Sequence, residues 1–328
     1  MIASCKDVFR LLTTVNRFEP DLILLEGPGF LSSITLMIKS LSGLPLIVRI
    51  KGDIWQTYSE ISHDLPFYEK MVKYLNFKAG SMVLRHADAI LPISDHLGDI
   101  TKENLGYGKR MFTVHIPFAE TPHNDSAGSG IIQNTPSPGE GFVLTVTNFN
   151  FWAKVEPLLD AVKRAAPVIE ELGMKWIILG DGFFLDKFKQ SVCESAGSES
   201  VVFTGRRNPT PYYKNAKALL YISGMDGLPN VLLEAWYFRL PVIINKECDS
   251  VEFVVDGYNG VVADFGDPAA TRDILGEIIR NDELRNTLGG NSYLYLQEHF
   301  SVRRVSSQLE NAIKNSLSGN GVHEVAEW

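Results

Sequence analysis

Short runs of consecutive apolar residues alternate along this chain with longer stretches whose apolar positions recur at helical spacing, the two patterns expected of buried strands and amphipathic helices. Residues 2–18 carry Val8, Leu11, Leu12 and Val15 on one helical face, and Pro20 ends that helix. Residues 21–25 (DLILL) are continuously apolar, as in a strand covered on both faces of a parallel sheet. A glycine-rich turn at 26–30 leads to a helix reaching residue 41, and Leu46–Ile50 reads as the next buried strand. A long helix is expected within 66–86, then a strand at 89–93, a helix opening at Ser94-Asp95, and a short strand at 113–116. This alternation is the rhythm of a doubly wound α/β half.

Residues 118–141 break the rhythm, being rich in Pro, Gly, Ser, Thr and Asn and poor in apolar side chains, so they read as a linker. The alternation then restarts with a strand at 142–147, a helix at 155–172, a strand at Lys175–Leu179, the turn Gly180-Asp181-Gly182, a helix at 184–196, a strand at 201–204 and the turn Gly205-Arg206. A buried strand at 218–223, a turn at 224–229, a short helix at 230–238 and a strand at 241–244 follow. A last strand at 258–263 and helices at Pro268–Arg280, 282–298 and Val302–Leu317 close the chain, with a frayed tail from Ser318. The expected domains are residues 1–120, a linker over 121–141, a second Rossmann-like domain over 142–300, and a C-terminal helix with its tail over 301–328.

Length and composition agree with two domains. At 328 residues, 45% hydrophobic and 21% charged, the chain has the make-up of a soluble globular protein with ample core. The net charge of −8, with no basic patch interleaved with aromatics, argues against a nucleic-acid partner. Phosphates of a small ligand would therefore be met locally. Cys5, Cys193 and Cys248 suggest neither a disulfide framework nor a metal site, and a cytoplasmic location is expected. The histidines show no ligand spacing, so no metal is expected. Lys6, Asp7 and Arg10 interrupt any signal-peptide core, and Glu26, Gly27, Pro28 and Lys39 break the most apolar region. No basic amphipathic helix stands out, which leaves contact with the inner face of a membrane open.

The chemistry concentrates at residues 216–245. Strand, glycine turn and helix start, in that order, make an anion site, because first-turn N–H groups have no intrahelical partner and the helix dipole favours negative charge there. Asp226 and Glu234 flank Gly227, Leu228, Pro229 and Asn230. Pro229 suits the first helical position or leaves Asn230 as the cap, and Glu234 leans back toward the helix start. Lys154 follows the strand at 142–147 and is suited to pair with a diphosphate, with Asn148 adding a neutral hydrogen bond. The turns at Gly180–Gly182 and Gly205-Arg206 would let a base or ribose approach the backbone. Lys51-Gly52-Asp53 ends a first-domain strand, where Asp53 reads as a base or a ligand for an acceptor hydroxyl. Each has a plainer counterpart: a capped turn, a solvated lysine, a packing glycine, a loop-capping aspartate.

On these residues the chain resembles the retaining glycosyltransferases of family 4, with the GT-B fold (glycosyl transferases group 1). The family's E-x7-E run is matched by D-G-L-P-N-V-L-L-E-A from Asp226 through Glu234, followed by L-P-V-I. The resemblance also takes in Gly180-Asp-Gly182, VVFTGR ending at Arg206, and the final helix from Phe300, which in such enzymes crosses back to the first domain. It implies two Rossmann-like domains facing across a cleft. A nucleotide-sugar donor would lie on the second, and a sugar, lipid-linked or polymeric acceptor would be glycosylated with retention of configuration, without a metal or other cofactor, in glycan or glycolipid biosynthesis. Asp226 is assigned to the donor sugar, Glu234 to the ribose and Lys154 to the phosphates.

Three departures stand out. The N-terminal domain is expected to be without the first strand and glycine-rich loop of that fold, Lys51-Gly52-Asp53 stands where many members place a histidine, and Asn148 replaces an arginine. Losing that charge-assisted bond would cost about 1.5–3 kcal/mol unless Arg206 or Arg207 compensates. These departures keep two alternatives open: a non-catalytic, accessory sugar-nucleotide-binding subunit acting with a partner chain, and a nucleotide-sugar epimerase.

Overall fold

The computed structural model describes residues 13, 17–29, 31–59, 67–106, 108, 110–119, 141–225 and 227–318. The expected helix at 2–18 and linker at 121–141, each in large part, lie outside the described residues, as do Asp226 and the tail beyond Ser318. The chain divides into two compact units, one made of the residues up to Ile116 together with those from Arg303, the other Pro117–Val302.

In the first unit β1 (Ile23–Glu26), β2 (Leu46–Ile50), β3 (Ala89–Pro92) and β4 (Arg110–Met111) form a parallel sheet in that order. Helices α1 (Ile34–Ser42), α2 (Ile54–Ser59), α3 (Phe67–His86) and α4 (Asp95–Leu105) connect the strands. β2 and β3 are buried along their whole length, as unbroken apolar runs require. β1 departs from expectation: its residues alternate between half-buried and exposed, because it is the outermost of the described strands.

The strand expected at 113–116 is displaced to Arg110–Met111, and the chain then runs on beside β3 without regular pairing. Phe112 N–H donates to the Ile90 carbonyl (3.2 Å) and Val114 N–H to the Pro92 carbonyl (2.9 Å). The bond that should return between them needs an N–H at residue 92, and proline has none.

In the second unit β5 (Phe142–Val146), β6 (Lys175–Leu179), β7 (Val201–Gly205), β8 (Leu219–Tyr221), β9 (Val242–Asn245) and β10 (Val261–Ala263) form a parallel sheet ordered β10-β9-β8-β5-β6-β7. Counted from β5, this is the 3-2-1-4-5-6 order of a Rossmann sheet. Its direction of winding reverses between β5 and β8, which meet at Leu144 and Leu219. There the buried Thr145 hydroxyl donates to the Leu220 carbonyl (2.7 Å) and accepts from the Trp176 indole (3.0 Å), tying three strands together.

The helices of this unit are α5 (Trp152–Glu171), α6 (Leu185–Cys193), α7 (Thr210–Asn215), α8 (Asn230–Tyr237), α9 (Pro268–Arg280) and α10 (Asp282–Phe300). α5 starts a turn earlier than its apolar period suggests, since Trp152 packs edge-on against Phe184 (5.6 Å between centroids). This places Lys154 inside the first helical turn. The strand expected at 258–263 shortens to Val261–Ala263, because Gly257 N–H closes a turn on the Gly260 carbonyl (2.9 Å).

The last helix, α11 (Val302–Leu317), packs on the first unit's sheet. Its Val305 and Ala312 are buried with Ile47, Leu91 and Val114.

Candidate functional site

The carboxyl ends of β5, β6 and β7 form one continuous floor. Thr147 N–H donates to the Leu179 carbonyl (2.9 Å), Phe149 N–H to that of Asp181 (3.0 Å) and Gly180 N–H to that of Gly205 (3.1 Å). A Cβ on Gly180 would lie 1.9 Å from the Thr147 carbonyl oxygen, and one on Gly182 2.5 Å from the Phe149 carbonyl carbon. At both positions glycine is needed for the packing of one turn against the next. Gly205 differs: it has φ 68° and open space where a side chain would be. Beyond it Arg206 and Arg207 are exposed, as is Asn148 at the end of β5.

The turn after β8 lies beside this floor and is held by bonds to distant elements. Ser223 N–H donates to the Asn245 side-chain oxygen (3.1 Å), both residues being buried. The Ser250 hydroxyl donates to the Gly227 carbonyl (3.0 Å). Gly224 N–H points at the Lys154 carbonyl (3.4 Å), and a Cβ on Gly224 would come within 2.7 Å of the Ala153 carbonyl oxygen. The first turn of α5, which carries Lys154, is therefore pressed against the turn that leads into α8. Both stand where the sheet reverses its winding, the position at which open α/β sheets bind ligands.

The helices that follow β5 and β8 both start without a side-chain cap. Pro229, rather than Asn230, is the N-cap of α8, and Phe151 is that of α5. Asn230 is the exposed first residue of its helix. Elsewhere in the unit α6 and α7 likewise start without a side-chain cap, while Asp267 caps α9 and Asn281 caps α10 through their side chains. Uncapped first turns present N–H groups and the positive end of the helix dipole to whatever lies above them.

One turn into α8, Glu234 is half-buried, and its Oε2 accepts a hydrogen bond from the Tyr213 hydroxyl (2.7 Å). Tyr213 is buried and stacks on Phe238 (5.6 Å, 15° between planes). Burial first, then the Glu234 charge and bond, push the Tyr213 phenol well above its usual value, so it remains a donor. Tyr213, Asn245 and Ser250 are absent from the sequence-based set. A tyrosine pair before a strand carries no signal of its own, and the other two act from a neighbouring strand and turn.

Asp53 lies in the first unit as the capping residue of α2, its Oδ1 accepting from the N–H groups of Trp55 (2.7 Å) and Gln56 (3.1 Å). We assign it no chemical step. Near it, Glu26 pairs with Lys51 (2.7 Å) and with the buried Arg49 (3.3 Å), whose guanidinium also donates to the His115 carbonyl (2.6 Å). Partial burial would raise the Glu26 carboxyl, but the bond from Lys51 and the two positive charges outweigh it and hold the group below its ordinary value. Among the described residues no group of three or more His, Cys, Asp or Glu is placed to hold a metal ion, and no helix is long and apolar enough to cross a membrane.

A parallel 3-2-1-4-5-6 sheet with a helix starting on each side of its switch point defines a Rossmann-like domain. The chain belongs to the family of glycosyl transferases group 1, whose model matches residues 131–295. It is 25% identical over 234 residues to the ORF31 glycosyltransferase of a virus (isolate Australia/Victoria), covering 70% of this chain and 67% of that one. It is also 25% identical over 175 residues to the N-acetyl-alpha-D-glucosaminyl L-malate synthase of Bacillus anthracis, covering 53% of this chain but only 45% of the synthase. Anabaena HepE, solved in complex with UDP-glucose, superposes with a TM-score of 0.68 at 17% identity, over 94% of this chain and 82% of HepE. The architecture is of the α/β, GT-B type, built from two Rossmann-like units.

Proposed function

We propose that the second unit binds a nucleotide-sugar and that the chain transfers the sugar to an acceptor hydroxyl with retention of configuration, as a family 4 enzyme of glycan or glycolipid biosynthesis. The observation that carries this reading is the contact, at the switch point, of the Lys154 turn with Gly224 in the turn that leads into α8. When the bond between sugar and diphosphate breaks, negative charge collects on the departing phosphate oxygens. The Lys154 ammonium and the starts of α5 and α8 would stabilise that charge without reorganising, and this is the kind of effect that dominates many enzymatic rate enhancements. No metal is needed to balance the leaving group on this account. Glu234, held by Tyr213, would accept from the ribose hydroxyls. Asp226, assigned by resemblance, would orient the sugar. The UDP-glucose bound to HepE supports a donor of this class.

The test is to incubate the chain with a panel of nucleotide-sugars and with short-sugar and lipid-linked acceptors, reading the product's anomeric configuration by NMR. Retained configuration, turnover insensitive to EDTA, and a loss of about 100-fold or more in Lys154→Ala are expected. Unchanged turnover and affinity in Lys154→Ala would remove the phosphate assignment. An altered sugar nucleotide formed from donor alone would point to an epimerase. Donor binding without transfer would leave an accessory subunit.

A further inference from the structure

Strand β1 leaves one side of the first unit's sheet open among the described residues. Ile23 N–H donates to the Pro45 carbonyl and Gly27 N–H to that of Arg49 (2.9 Å each), so the odd-numbered residues here turn their peptide groups toward β2. Leu24 and Glu26 turn theirs away, and no described residue bonds to them there. Leu24 lies in register with Ile47, which is fully buried in the core beneath α11, yet Leu24 itself is 38% exposed. The difference is that Ile47 has a strand on either side and Leu24 on one side only. The other edge strands described, β4, β7 and β10, contain no exposed residue. Edge strands are ordinarily blunted by lysine, proline or a bulge, and Ile23–Glu26 carries none of these. Its one charge, Glu26, is answered in place by Lys51 (2.7 Å) and Arg49 (3.3 Å). The helix that follows, α1, adds exposed Met37 and Leu41, one helical turn apart.

Alternating N–H and C=O groups along an edge are matched by one kind of occupant, an extended backbone. The sequence of β1 makes the strand its own complement. Placed antiparallel about a two-fold axis at Leu24, it sets Leu24 opposite the partner's Leu24, in a pair that exchanges two backbone hydrogen bonds. Leu22 then faces the partner's Glu26, and Glu26 faces the partner's Leu22. In this register the two glutamates stand about 13 Å apart along the strand. That exceeds the Debye length of about 8 Å at physiological salt, so the pairing carries no like-charge penalty. The apolar side chain left exposed on the edge meets its own counterpart. We infer that β1 is the docking edge for a second copy of this chain, joining two four-stranded sheets into one across a two-fold axis. This goes beyond the donor-binding reading and does not depend on it.

Light scattering over a dilution series of the full chain tests the inference without reference to activity. A monomer–dimer equilibrium is expected, with the amides of Leu24 and Glu26 protected from hydrogen exchange in the dimer and exchanging freely on dilution. Leu24→Pro removes only an outward N–H, so the bonds to β2 survive and the thermal transition should stay in place. It should weaken association by roughly 30-fold, the equivalent of two backbone bonds of about 1 kcal/mol each. Leu24→Lys keeps every backbone group but sets two ammonium groups opposite one another, and it should weaken association comparably. The lysine variant decides the matter if the proline variant fails to fold. A monomer at every concentration, or a dimer that Leu24→Lys leaves intact, would overturn the inference. So would a monomer whose Leu24 and Glu26 amides stay protected on dilution, since a segment of the same chain would then cover the edge.

Discussion

Tyr213 has no visible purpose until its hydroxyl is followed to Glu234. A buried phenol that donates to a carboxylate fixes which oxygen faces inward and leaves the other to be presented at the start of α8. Tyr213→Phe removes that single bond without changing the packing on Phe238. We expect it to weaken binding of a nucleoside diphosphate by roughly 10- to 150-fold, the equivalent of about 1.5–3 kcal/mol for a hydrogen bond to a charged group. A ribose-deoxygenated analogue should lose much less, and calorimetric titration of both ligands measures the difference. Equal losses would mean that Tyr213 is only structural. Glu234 was legible in the sequence, because its distance from the glycine turn is a local pattern. Tyr213, Asn245 and Ser250 were not, because each acts across a separation of more than 20 residues and leaves no periodicity to read. Gly180 and Gly182 were legible as special positions, while the packing of one turn on another that requires them was not, because close approach to a ligand and close approach to a neighbouring turn leave the same mark.

Elements were legible where a single period dominates. β2 appears at the residues its apolar run marks, whereas α5 begins early and the strand expected at 113–116 moves, because a tryptophan contact and a missing proline N–H are not periodic signals. α3 was legible as a helix, but the exposure of its Phe67, Val72 and Leu75 was hidden, since a helix apolar on two sides shows no clean polar face. The segment after β4 carries a pH prediction. His115 is buried, and burial first of all pushes its imidazole below the usual value. The contact of Nδ1 with the Ile93 carbonyl and the charge of Asp95 work upward, while Arg304 and Arg49 work downward. The folded chain therefore keeps His115 neutral at a pH where the unfolded chain takes up a proton. The unfolded state binds more protons below about 6.5, so this stability is fully present above that pH and is lost as pH falls through it. Denaturant midpoints between pH 7.5 and 5.5, roughly spanning that value, should fall more steeply for wild type than for His115→Gln. Parallel curves would contradict the account.

At the scale of the whole chain, the alternation of strand and helix announced two doubly wound parts, and both sheets are parallel. The strand order was out of reach, because the choice of which side each crossover takes is set by packing and handedness, while the apolar runs look alike. That order is nonetheless what gives the candidate site its position, by bringing the end of β5 beside the end of β8. The family match covers the region that contains this junction. The central claim is that the junction holds the diphosphate of a nucleotide-sugar, and a thermal-shift screen over nucleotide-sugars and nucleoside diphosphates tests it most directly. A ligand at 100 times its dissociation constant adds roughly 2.7 kcal/mol, enough to raise a transition of this size by about 5–10 °C. The account predicts such a shift for at least one nucleoside diphosphate and its sugar conjugate, and its loss in Lys154→Ala. No shift with any of them, or an equal shift in Lys154→Ala, would contradict it.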